Sequence, residues 1–213
     1  MQIDRFRRLD KFGFLVKIFK HRPFTAFIGL IIYSNGLLSF IILSDGLSVG
    51  SKIYSGASFN NIASLGSSNF LSTLTVFSSI NSVEFFPFSG FKLARAAGSR
   101  AILVSLNKGL GVIKLNSGWH IKISALCTAS LGSCSNPLHD YITIGKAGRQ
   151  RAFGIRPTVR GVIKNPCDHP HGGGEGRGSP PAAQVSPWGY LTKGTPTKNK
   201  KIDRLKRRLF KKI

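Results

Sequence analysis

The sequence predicts an all-β protein: small antiparallel barrels or sandwiches, followed by a long, basic, irregular C-terminal extension. Two observations carry this. Short β-branched or aromatic runs recur about every eight to twelve residues, with Gly, Asn or Ser between them. After Gly148 that alternation stops, and the chain turns Gly/Pro-rich and cationic to its end. No helical heptad and no internal repeat interrupts the first pattern.

Taken in order, residues 1–22 (MQIDRFRRLDKFGFLVKIFKHR) read as a basic N-terminal arm that contacts RNA. A mitochondrial targeting segment is the alternative, weakened by Asp4 and Asp10. Phe24 to Leu43 is uncharged over twenty residues, the length of a membrane span. Asn35-Gly36 sits midway, however, and that dipeptide favours a type I′ turn, so a β-hairpin is expected there. A basic protein anchored in anionic lipid through Phe24–Leu43 remains the alternative. SDGLSVGSKIYSG repeats strand, Gly-containing turn and strand. Further strands are expected in FLSTLTVFSSI, SVEFFPF, AILVSLN, GVIKLNSG, HIKISA and YITIG.

The chain has 213 residues and a formal net charge of +23, from 31 Lys and Arg against 8 Asp and Glu. A polyanion is the expected partner, nucleic acid before membrane. From Tyr141 onward there are 17 Lys and Arg against three acids, whereas Lys52 is the one Lys or Arg between Pro23 and Phe91. Three cysteines are too few for a disulfide scaffold and point to a reducing compartment.

The extension carries the functional signal. Lys146, Arg149 and Arg151 alternate with glycines, so backbone amides and charged tips can reach phosphates together. Arg156 and Arg160 flank a Pro-stiffened segment, and guanidinium groups suit bidentate phosphate contacts. Lys164, His169, His171 and Arg177 add donors. Gly172, Gly173 and Gly174 remove β-carbons where the chain would press on a ribose or base. Trp188 offers a ring for stacking. Lys193, Lys198, Lys200 and Lys201 belong to a cationic tail too poor in apolar residues to fold alone.

Other chemistry is weaker. Cys167, His169 and His171 alternate, so they point to opposite sides of an extended chain, and with Cys127 and Cys134 they match no usual zinc spacing. Asp168 beside His169 could orient a general base, but no nucleophile lies near. No catalytic residue, metal site or cofactor is therefore expected, apart from magnesium held by the RNA itself.

GKAGRQRAFGIRPTVRGVIKNPCDHPHGGGEGRGS, followed by VSPWG and TKGTPTKNKK, closely resembles the C-terminal signature of the universal large-subunit ribosomal protein L-two family. VEFFPFSGFKLARAAGS is similar to that family's segment ending in LARSAGT, with Glu84, Pro87, Gly90, Leu93, Ala94, Arg95, Ala97 and Gly98 in place. The resemblance implies an OB-like barrel (residues 23–80), an SH3-like barrel (81–150) and an RNA-threading extension (151–213). It adds Arg95 to the expected RNA contacts. It also implies partners: large-subunit ribosomal RNA near the peptidyl-transferase region, neighbouring ribosomal proteins and the small-subunit interface, with no membrane span. The family histidine linked to peptidyl transfer matches His169, which places that loop as a brace around chemistry belonging to RNA. Where the family is rich in Lys and Gly ahead of LARAAGS, this chain has Asn81, Phe86, Phe88 and Phe91. That departure, and an N-terminal extension expected to be reduced to 22 residues, resemble mitochondrial versions.

Overall fold

Runs of β-branched and aromatic residues decide the first strands. In a computed structural model, which describes residues 2–56, 64–174, 183–194 and 210–212, Lys11–Phe19 is strand β1, with Gly13 and Leu15 turned inward. It pairs antiparallel with β2 (Ile28–Tyr33) on one side and β4 (Lys52–Ser55) on the other. Half of the expected basic arm is therefore sheet. Its Phe, Leu, Val and Ile sit at strand spacing, and its lysines are exposed.

The chain divides into two units, residues 1–143 with 206–213, and residues 144–205. The first holds one eleven-stranded sheet and a separate two-stranded pair, β7 (Val83–Glu84) with β8 (Phe91–Leu93). Beyond β1, β2 and β4, its strands are β3 (Leu38–Ile42), β5 (Ser68–Phe70), β6 (Ser79–Asn81), β9 (Ala101–Asn107), β10 (Leu110–Leu115), β11 (Trp119–Ser124), β12 (Thr128–Leu131) and β13 (Phe210–Lys212). The sheet order is β13-β11-β10-β9-β6-β12-β5-β4-β1-β2-β3. Among the described residues the only α-helix is α1, Ala147–Ala152, in the second unit. This is the expected all-β architecture, consistent with an OB-like half followed by an SH3-like half.

The expected hairpin is present: β2 and β3 pair from Ile28↔Ile42 to Ile32↔Leu38. Its turn differs from the expected type I′. Gly36 has positive φ, Asn35 does not, and the Gly36 amide donates to the Tyr33 carbonyl at 2.9 Å. Ser34, Asn35 and Gly36 thus form a three-residue loop closed by a left-handed glycine, which tolerates the strand twist equally well. Folded into this hairpin, Phe24–Leu43 does not form the membrane span, and no described helix is long and apolar enough to cross a membrane.

Three apolar clusters form within this unit, the smallest made of Ala26, Ile42 and Cys134. Leu15, Ile31, Tyr33, Ile41, Leu43 and Ile53 fill the space between β1, β2, β3 and β4. Leu71, Leu74, Ile80, Leu103, Ile113 and Ile121 centre the second. The first cluster draws on residues up to Ile53, and the second begins at Leu71. YITIG forms no strand: His139–Tyr141 is a single 3-10 turn, with Tyr141 and Ile142 exposed. Its β-branched residues have no neighbouring strand to pair with.

Two arginines of the arm turn inward. Arg7 is 2% exposed. Its Nε donates to Ser55 Oγ at 2.9 Å, its Nη1 to Ser130 Oγ at 2.9 Å, and its Nη2 to the Tyr54 carbonyl at 3.0 Å. Burial pushes this guanidinium below its ordinary pKa. Arg8 donates to Glu84 Oε1 at 2.5 Å. Glu84, itself fully buried, also accepts the Gly90 amide at 3.0 Å and the Thr128 amide at 3.1 Å. One carboxylate thus ties the arm to β7, β12 and the loop before β8.

Glu84→Ala should lower the unfolding free energy of the full chain by about 3 kcal/mol, because it leaves Arg8 and two amides without their acceptor. Urea unfolding checks this, with Glu84→Gln expected to lose less. The buried thiols give a second outcome: burial pushes Cys127 up to about 12 and Cys134 up to about 11. A thiol reagent at pH 8 should label the exposed Cys167 of the native chain first, and the other two only after denaturation; mass spectrometry of the labelled peptides reads the order.

Candidate nucleic-acid interface

The second unit begins where apolar alternation ends, and its cations lie on short local turns. Lys146 precedes α1, whose six residues AGRQRA carry Arg149 and Arg151. Gly154, with positive φ, ends the turn by donating to the Arg151 carbonyl at 2.9 Å. From Gly145 to Arg160 every residue is exposed, Phe153, Ile155 and Val159 included. Among the described residues, none of Lys146, Arg149, Arg151, Arg156, Arg160, Lys164 and Lys193 makes an ion pair. Arg149 makes one weak internal contact, Nη1 to the Ile144 carbonyl at 3.3 Å. A segment with exposed apolar groups and unpaired cations presents both to whatever covers it.

The His loop is organised differently. The Asn165 carbonyl accepts the Asp168 amide at 2.9 Å and the His169 amide at 3.2 Å, and the His169 carbonyl accepts the Gly172 amide at 2.8 Å. His169 is 8% exposed. Its Nδ1 accepts the His171 amide at 3.0 Å, and His171 Nε2 accepts the Val185 amide at 3.1 Å. The two rings lie 4.9 Å apart. Desolvation first, then His171 and Lys164, push the His169 pKa below its ordinary value.

Both histidines, expected to touch phosphate or base, thus spend one ring nitrogen inside the loop. Asp168 does not hold the His169 Nδ1, which the His171 amide occupies, so the orienting pair that the sequence disfavours is not formed. Steric need also accounts for glycines that the sequence alone assigns to close approach of RNA. A β-carbon on Gly172 would run into the Lys164 and Asn165 carbonyls, and one on Gly161, outside that set, would lie 2.6 Å from His169 Cε1. Gly173 has positive φ against Pro166, and of the three only Gly174 faces open space.

Trp188 stands at the tip of a small hairpin. Val185 bridges Leu191, the Gly189 amide donates to the Ser186 carbonyl at 2.9 Å, and the Ser186 amide donates to the Tyr190 carbonyl at 2.7 Å. Pro187 fixes the backbone before the ring. Trp188 is 80% exposed and Tyr190 72%, a geometry suited to stacking. Sequence reasoning misses Tyr190; its position two residues past Trp188 in a Pro-Gly turn is the signal that identifies it.

Arg95 lies in the first unit, half-buried, with burial and the neighbouring Arg5 pushing its pKa down. Arg177, Lys198, Lys200 and Lys201 lie outside the described residues. Cys127 and Cys134 are packed in the first unit while Cys167 belongs to the second, and among the described residues no three His, Cys, Asp or Glu side chains gather as metal ligands.

Residues 64–189 match the family model described as Ribosomal Proteins L2, C-terminal domain. The chain is similar to the large ribosomal subunit protein uL2 of Brucella melitensis biotype 1, 43% identical over 195 residues, which covers 92% of this chain and 70% of that protein. The Brucella canis protein of the same name matches equally well, and that of a Chelativorans species is 40% identical over the same length. With the β architecture, the folded Asn165–Gly174 loop and the exposed cations of the second unit, these matches establish that the chain belongs to the ribosomal protein L2 family.

Proposed function

We propose that this chain is a structural, RNA-binding constituent of the large ribosomal subunit, with no catalysis of its own. The observation that carries the reading is the fully exposed run from Gly145 to Arg160, whose cations have no ion-pair partner among the described residues. Ribosomal RNA supplies phosphates for Lys146, Arg149, Arg151, Arg156 and Arg160, and bases for Trp188 and Tyr190. Lys164, Lys193 and Arg95 extend the phosphate contacts, with Arg177, Lys198, Lys200 and Lys201 continuing them along the tail. The His loop, folded on itself, is placed near the peptidyl-transferase region and braces RNA from outside. Neighbouring ribosomal proteins and the small-subunit interface complete the partners, and any magnesium is the RNA's.

The particle is that of a mitochondrion in this reading. Support comes from Phe86, Phe88 and Phe91, which replace a Lys/Gly-rich stretch. The named relatives are bacterial proteins, so the compartment rests on that departure. Sedimentation of the tagged chain with mitochondrial ribosomes tests it, and sedimentation with cytosolic ribosomes alone refutes it.

Arg156→Glu with Arg160→Glu should exclude the chain from the large subunit. In isolated RNA binding, each phosphate that is no longer neutralised should flatten the log–log salt slope by roughly 0.7 to 0.9. Normal sedimentation of the double variant with the subunit contradicts the reading. Gly161→Ala, which drives a methyl into the His169 ring, should slow assembly or translation as His169→Ala does while leaving the first unit's melting unchanged. Growth and subunit profiles of both variants measure this.

A further inference from the structure

The strands β1, β2 and β3 are apolar on both faces. The inward face is core: Leu15, Ile31, Tyr33 and Ile41. On the outward face, cross-strand register aligns Phe14 with Ile32 and Ile32 with Leu38. These three are 55%, 39% and 62% exposed. Leu30 and Phe40, paired in the next row, are half-buried. An antiparallel sheet that faces water normally places polar groups on its second side. Here the row across three strands carries none.

Cations stand at the margins of this stripe. Lys52 of β4 is the register partner of Phe14, and its Nζ lies 4.2 Å from the Phe12 ring centroid. Lys17 pairs with Leu30, its Nζ 5.3 Å from the Phe19 ring centroid. Neither makes an ion pair among the described residues.

We infer that this outer face is a docking surface for a protein segment with an apolar run flanked by carboxylates. Of the row only Phe14 offers a base a π-face, Ile32 and Leu38 offer none, and phosphates find donors only at the lysine margins, so an apolar protein segment covers the row better than RNA does. A second copy of a chain with net charge +23 would meet strong repulsion. An acidic-flanked segment satisfies both the apolar stripe and its lysine margins. The partner is sought within the large-subunit particle, so the test rests on the ribosomal reading while the surface itself does not.

The experiment places the photoreactive residue p-benzoylphenylalanine at Leu38 in the full chain, assembled into its particle, and irradiates it. The expected product is an adduct to a neighbouring protein, whose cross-linked peptide has Asp or Glu bordering apolar residues. Lys17→Glu with Lys52→Glu should cut its yield about tenfold without changing ribosomal RNA content. Where that pair fails to assemble, Lys17→Gln with Lys52→Gln should cut the yield about threefold. An adduct to RNA or to a second copy, no adduct at all, or a protein adduct indifferent to these substitutions overturns the docking surface. A chain absent from the particle instead overturns the ribosomal reading, so the two failures are distinct.

Discussion

Charge that cannot be neutralised from within governs this molecule. Thirty-one Lys and Arg share eight carboxylates. The most buried carboxylate, Glu84, serves one arginine and two backbone amides at once. Folding places Arg7 and Arg8 against internal acceptors and leaves most other cations among the described residues to solvent. Self-repulsion of that kind opposes compaction. The sequence answers it by separation: an almost uncharged middle builds the cores, and the basic third avoids building one.

Within the first unit, the inward-facing arginines do what apolar residues cannot. Ser55 ends β4, beside the first cluster, and Ser130 lies in β12, beside the second; Arg7 reaches both while also holding the Tyr54 carbonyl. A guanidinium carries enough donors in a fixed fork for such a three-way contact, and a lysine at that place lacks the geometry. The two cores are thereby fastened through polar groups, with three hydrogen bonds offsetting part of the cost of burying the guanidinium. Asp4, whose side chain accepts the Phe6 and Arg7 amides, sets the turn that delivers the guanidinium inward.

Much of this was legible. Strand runs at AILVSLN, GVIKLNSG and HIKISA became β9, β10 and β11, because alternation and turn residues act locally. Asn35-Gly36 located the hairpin but not its turn type, since one positive φ suffices when the loop has three residues. YITIG misled because β-branched residues favour strands only where a partner strand exists. The burial of Arg7 was invisible: it stands in a cluster of arginines, and only tertiary contacts single it out. In the His loop, the residue types were readable, but the His171 and Val185 amides, donating to the His169 and His171 rings, engage them internally.

The amide of His171 fixes a chemical limit on its neighbour. Because it donates to the His169 Nδ1, the lone pair there is already engaged, and the imidazole must carry its proton on Nε2. Protonating Nδ1 would cost that hydrogen bond, although the Asn165 and His169 carbonyls still hold the turn's backbone amides. So arranged, the ring spends its basic nitrogen on the backbone two residues along the chain. The loop thereby uses both of its imidazoles to hold backbone.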